Sequence, residues 1–176
     1  MRYFGTCVAY AYRSPRTSAV TVRLMGRVEG IYLTPETEAP CEPVERARFA
    51  PGRGPEGDRK FRPEGTEPYE SGTGRDITLV EAEAIEGLAA DTGIELGPGE
   101  ARRNVVTRDI ALNDLVGKPF RVGDVRCVGV ELCEPCRHLE RLTQPGVLRG
   151  LTHRGGLRAD VVRGGEIAVG DPVEAI

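Results

Sequence analysis

Apolar and polar residues change places every one or two positions along most of this chain, in short runs broken by glycine or proline. That alternation is the pattern of half-buried strands. It predicts strands over 27–34 (RVEGIYLT) and 44–52, where Val44, Ala47 and Phe49 alternate with Arg and Glu. Further strands are expected over 101–110 (ARRNVVTRDI) and over 120–133, where two strands flank a tight Gly123-Asp124 turn. The end of the chain, from Leu157, reads as a last pair of strands around Arg163-Gly164-Gly165.

A helical period is clear in one stretch, DITLVEAEAIEGLAADTG. Val80, Ala84, Ile85 and Leu88 share a face there, Thr78 and Glu81 match a capping box, and Gly93 marks the stop. ALNDLVG predicts a brief helical turn ended by Gly117, and 135–146 a short helix with Leu139 and Leu142 inward. Residues 34–43 form a link carrying Pro35, Pro40 and Pro43. RGPEGDRKF is a glycine turn that delivers Asp58, Arg59 and Lys60, and the polar loop after it, through Gly74, has no periodicity and is expected to be mobile. There are no internal repeats. Together the elements predict a mostly β, barrel-like fold with a few short helices. Residues 1–24 read as an N-terminal extension, either a disordered arm or an over-long start, because Met25 opens what looks like a domain over 25–176.

Composition agrees with short strands and many turns: 23 glycines and 13 prolines stand against 5% aromatic residues. A net charge of -3 gives no global reason to expect a nucleic-acid partner. No apolar run approaches the roughly 18 residues of a membrane span, and the first residues lack the apolar core of a signal peptide. Five cysteines, an odd count with no export signal, point to reduced thiols and a cytoplasmic protein. Cys7 and Cys41 read as incidental.

The chemistry concentrates in CEPC, residues 133–136. Pro135 suits the first position of a helix, which would make Cys136 the second helical residue. Unpaired amides, the positive end of the helix dipole, and neighbouring Arg137 and His138 would then favour a thiolate at Cys136. The residues alone leave four readings open. These are two half-buried sulfurs, a zinc clip of Cys133, Cys136, His138 and Cys127, a redox pair, or a reactive Cys136. The redox pair lacks a βαβ setting. Three basic segments raise the prospect of an anion pocket: Gly57 to Lys60, Arg102-Arg103-Asn104, and His153-Arg154-Gly155-Gly156. Glycine admits close approach to the backbone, and arginine forks match phosphate oxygens. The plainer alternative is a set of solvated arginine-rich turns.

The order GRGPEGDR, RDITLVEAEAIEGL, RRNVVT, FRVGDV, CEPC, HRGGLRADV, GGEIAVGDPV resembles a MOSC domain, the domain found at the C-terminus of molybdenum-cofactor sulfurases. The resemblance covers about Met25 to Ile176 and implies a compact β-barrel, a molybdenum–pyranopterin ligand and one key cysteine. It places that cysteine's role, catalytic and molybdenum-ligating, on Cys136. It matches Arg102 and Asn104 to the family's Arg-Pro-Asn stretch, with Arg103 in place of the proline. Asp58, Arg59, Arg154, Gly155 and Gly156 are the further cofactor-binding residues it implies. By this resemblance the chain is expected to have no pyridoxal-phosphate desulfurase domain and to lack most of the N-terminal barrel and linker of the larger reductases.

The expected activity is reduction of N-hydroxylated small molecules, with electrons from a separate donor protein. The alternative is a sulfur carrier: Cys136 takes sulfane sulfur as a persulfide from a separate, pyridoxal-phosphate-dependent cysteine desulfurase and passes it to a metal cofactor, with Cys133 available to resolve the persulfide. A structural zinc module is the third reading.

Overall fold

The computed structural model describes residues 25–176; the extension 1–24, and Cys7 with it, lies outside the described residues. Eleven strands and three short helices follow one another in this order. β1 is Met25–Leu33, β2 Glu42–Val44, β3 Arg46–Ala50, β4 Gly54–Pro55 and β5 Ile77–Glu81. Helix α1, Ala82–Thr92, leads to β6, Val105–Arg108, then β7, Pro119–Val122, and β8, Val125–Leu132. Helices α2, Arg137–Leu142, and α3, Val147–Gly150, precede β9, Leu157–Arg163, β10, Gly165–Ala168, and β11, Pro172–Ala175. Two 3-10 turns, Pro98–Ala101 and Leu112–Leu115, bracket β6.

Seven strands close into a barrel in the order β11-β7-β8-β9-β5-β6-β1, and β1 returns to β11 with Met25 opposite Glu174 and Arg27 opposite Pro172. The β5–β6 pair is parallel because α1 carries the chain across between them; the other barrel pairs are antiparallel. β3, β4 and β10 make a separate small sheet.

Alternation does what the sequence pattern implies. Val28, Ile31, Leu79, Val105, Phe120, Val122, Val125, Leu157 and Val173 point into the barrel and are buried. Phe49 and Ile167, from the small sheet, join them. Each such side chain contributes about 1.5–3 kcal/mol by leaving water. A second cluster forms outside the barrel wall, where Ile85 and Leu88 of α1 meet Val80, Val106, Leu139, Val147 and Leu151. Among the described residues, no helix is long and apolar enough to cross a membrane.

Four expectations change. The stretch before α1 is a strand, not a helix start: Ile77 to Val80 is apolar or β-branched and is covered on both faces, and α1 begins at Ala82 with no side-chain cap. The stop at Gly93 holds, in left-handed conformation with its N–H bound to Ala89 O. The final segment is three strands, and β9 and β10 belong to different sheets instead of forming a hairpin around Gly164. Leu142 is only half-buried, while Leu139 is buried. The loop from Lys60 to Gly74 is irregular yet fastened: Tyr69 Oη donates to Lys60 O at 2.8 Å, and Asp160 accepts the amides of Gly72 and Gly74.

Candidate functional site

Barrel register builds the floor of the site. Ile31, Val105, Leu79 and Leu157 form one inward row across β1, β6, β5 and β9. One residue along, the side chains face outward. That outward row is Tyr32, Asn104, Thr78 and Arg158, tied together by Tyr32 N–H to Asn104 O at 2.8 Å and by the Thr78–Arg158 pairing. Asn104 is the fastener: its Oδ1 accepts from the Thr78 amide at 3.2 Å and the Thr78 hydroxyl at 2.9 Å.

Over this floor lies a cleft of about 500 Å³. Its walls come from four places. The turn after β4 supplies Asp58, Arg59, Lys60, Arg62, Tyr69 and Arg75. The link before β2 supplies Cys41, and the segment after β8 supplies Cys133, Cys136, His138 and Leu139. The bend before β6 adds Arg102 and Arg103. Among the described residues, seven side chains of the lining carry a positive charge, and Asp58 is the single carboxylate. A protein of net charge -3 has thus concentrated cations in one place.

The expected residues separate into groups. Cys136 is exposed in the cleft, and Arg59, Arg102 and Asn104 line it too. Asp58 lines it but is buried and engaged, with its oxygens accepting from the amides of Thr34 at 3.1 Å and Lys60 at 2.8 Å. Its task is to shape the turn that presents Arg59 and Lys60. Arg102, in left-handed conformation, anchors the link by donating to Ala39 O at 2.8 Å.

Arg154 lies outside the cleft lining; it pairs with Asp91 at 2.8 Å and donates to Gly150 O, joining α1 to α3. His153 is likewise outside, exposed and bonded to Glu134. Gly155 and Gly156 are not lining residues either. A Cβ at Gly155 would lie 2.6 Å from Cys133 O, so this glycine lets the segment before β9 pack against the cysteine loop.

The cysteine loop itself departs from expectation. Helix α2 begins at Arg137, and Cys136 is its N-cap in extended conformation, not its second helical residue. The reason lies upstream: Cys133 N–H binds Gly156 O at 2.7 Å, and Cys133 O accepts from Arg103, so residues 133–135 stay extended beside β9. As N-cap, Cys136 has its Sγ beside the first free amides of α2 but makes no hydrogen bond to them. The thiol remains accessible, whereas Cys133 is buried.

Arg103, the residue that seemed out of pattern, proves central. Its guanidinium donates to Gly155 O at 2.9 Å, Cys133 O at 2.8 Å and Ala101 O at 3.2 Å. Burial depresses its pKa, while the neighbouring Cys133 and Cys136 thiols work the other way. Cys41, read as incidental, lines the cleft, and burial raises its thiol pKa against the pull of Arg102 and Arg59. Cys127 points into the barrel core, where burial drives its thiol pKa far up. Among the described residues, no group of three or more His, Cys, Asp or Glu side chains could hold a metal ion, so the four-ligand zinc clip is not assembled.

Comparison with known proteins agrees with this architecture. The YUAD protein from Bacillus subtilis superposes with a TM-score of 0.71 at 20% identity, over 86% of this chain and 95% of its own. YiiM from Escherichia coli superposes with a TM-score of 0.59 at 16% identity, over 85% of this chain and 69% of its own. YiiM from Geobacillus stearothermophilus gives the same TM-score of 0.59 at 14% identity, over 88% and 74%. At these identities the likeness is one of fold. No curated protein matches the chain. The sequence profile of the MOSC domain matches residues 66–174, from the cleft loop to the strand that closes the barrel. With that match over more than half its length, and with the barrel to go with it, the chain belongs to the MOSC domain family.

Proposed function

We propose that this chain binds a molybdenum–pyranopterin cofactor in the cleft through Cys136 and reduces N-hydroxylated small molecules there. The observation that carries the reading is an exposed cysteine opening into a cleft with seven cationic side chains and one carboxylate. The family is associated with the molybdenum cofactor. The donor set fits such a group. A single protein sulfur suits a metal whose other donors come with the cofactor, and a cationic lining suits an anionic pterin phosphate.

When bound, the cofactor supplies a two-electron centre. The balanced change is N–OH plus two electrons and two protons giving N–H plus water, with electrons from a separate donor protein. The chain's own residues bind and orient. Cys136 provides the sulfur. Arg59 and Lys60, which make no salt bridge among the described residues, receive the phosphate on the turn held by Asp58. Asn104, its Oδ1 occupied by Thr78, turns its amide N–H groups to the ligand as donors.

A second reading is favoured by one observation: Cys133 lines the same cleft as Cys136. In it, a persulfide on a separate cysteine desulfurase, which carries its own pyridoxal phosphate, gives its outer sulfur to the Cys136 thiol and leaves as a free thiol. Elemental analysis and intact mass of wild type beside Cys136→Ser, made in a host that synthesises molybdopterin, separate the two. Molybdenum in wild type and its loss in the variant supports the reductase. A mass increase of one sulfur on wild type without molybdenum supports the carrier and overturns the reductase.

A further inference from the structure

The positive charge of the cleft is larger than the cofactor's phosphate would neutralise, and among the described residues the protein compensates little of it. Among the described residues, Arg59, Lys60, Arg62, Arg75, Arg102 and Arg103 form no salt bridge, and Arg158 has only Glu131 at 3.5 Å. Some arginines elsewhere on the surface find carboxylates, among them Arg27, Arg108, Arg121 and Arg141, whereas the cleft gathers unpaired ones in one place. Asp58 is already engaged with two amides. A phosphate monoester brings a charge of about -1.5 to -2 at neutral pH. Most of the cleft's charge would remain unmatched with the cofactor in place.

Part of that surplus is gathered in a built arrangement. The guanidinium of Arg62 lies 4.1 Å from the centroid of the Tyr69 ring, and that of Arg75 lies 5.8 Å from it. Tyr69 is held by its hydroxyl to Lys60 O. One fixed ring thus keeps two like charges together at the cleft, and among the described residues neither forms a salt bridge. Arg62 Nη1 donates to Glu67 O at 2.6 Å. Stacking uses the faces of a guanidinium and leaves the remaining in-plane N–H groups, those of Arg75 above all, for an oxyanion.

Resting on the reductase reading, we infer that the substrate is itself anionic, an N-hydroxylated compound bearing a carboxylate or phosphate that the Arg62–Tyr69–Arg75 group receives. A second phosphate on the cofactor is the other source of the same chemistry, and the test separates the two.

The test is calorimetric binding of two ligands to the full chain: benzamidoxime, which is neutral, and 4-carboxybenzamidoxime, which is anionic. It is run on protein as purified and after release of any cofactor, whose mass is recorded. The expected result in both forms is at least about tenfold tighter binding of the anionic ligand, weakened by high salt. Arg75→Gln should reduce that preference several-fold, and Arg75→Lys should keep more of it. Equal affinities, or a preference indifferent to Arg75→Gln, overturn the inference. A preference present only after release of a cofactor carrying two phosphates assigns the charge to the cofactor and also overturns it. Protein that holds no molybdenum but keeps an Arg75-dependent preference retains the anionic ligand while the reductase reading fails.

Discussion

The guanidinium of Arg103 spans two carbonyls from distant parts of the chain, Cys133 O at 2.8 Å and Gly155 O at 2.9 Å. One planar fork thereby fixes the cysteine loop against the segment that enters β9. A lysine cannot reproduce the two directed bonds. Arg103→Met should lower unfolding free energy by about 2–4 kcal/mol, since it strips donors from partly buried carbonyls. Arg103→Lys should recover less than half. Urea denaturation of the three proteins checks this, and a methionine variant as stable as wild type would refute it.

The two cysteines of the loop should respond differently to the same change. Cys136 is exposed, so Cys136→Ser should leave stability within about 0.5 kcal/mol of wild type. Cys133 is 2% exposed, so a hydroxyl there loses its access to water, and Cys133→Ser should cost about 1–3 kcal/mol. Thermal melts of both variants decide it; the reverse order would mean the loop is oriented otherwise.

Gly156 has φ of 108°, and a Cβ on it would stand 1.9 Å from Leu79 O. Neither the conformation nor the space admits a side chain. Gly156→Ala should cost about 3 kcal/mol or more by prising β9 from β5. Circular dichroism melts would show it as a large loss of Tm, and a loss below about 1 kcal/mol would refute the close contact.

Asp76 gives a pH signature. Its Oδ2 accepts from Gly52 N–H at 2.9 Å and Val161 N–H at 3.0 Å, while Oδ1 is buried with no partner among the described residues. Burial raises its pKa above the ordinary 3.8, despite the two amides. A carboxyl whose pKa is raised on folding favours the folded state when protonated. Its contribution is therefore full below the unfolded pKa and is lost as pH rises through the folded one. Asp76→Asn removes that loss. The stability of the variant relative to wild type should grow as pH rises from the ordinary carboxyl range toward neutrality. Urea midpoints across that range measure it, and a constant difference would contradict the assignment.

How far the molecule was legible in its sequence depended on how local each signal was. Alternation at Arg46–Ala50 and the Gly123-Asp124 hairpin announced themselves because turn chemistry and period act within a few residues. Ile77 to Glu81 misled because a strand buried on both faces shows no period of two, and Thr78 with Glu81 imitates a capping box. The Thr78 hydroxyl in fact serves Asn104, from another strand. Basic motifs were legible as charge and not as direction. Arg59 and Arg102 reach the cleft, while Arg154, next to the two glycines, turns to Asp91 on α1. The glycines beside it are needed for packing on the cysteine loop and on β5, a requirement set wholly by tertiary contact. Arg103 could have been found by asking why a charged residue replaces a proline beside Asn104.

The barrel is sealed by β1 against β11, the earliest and latest of its strands. A ribosome releases these two partners well over a hundred residues apart, at roughly 5–20 residues per second. Until β11 emerges, β1 has no partner on that side, and both Met25–Arg27 and the Phe120–Val122 edge of β7 stay open to strand addition. Loss of the last few residues would therefore act on the nascent chain as much as on the finished one. It would leave a sheet with two free edges where the complete domain has a closed seam.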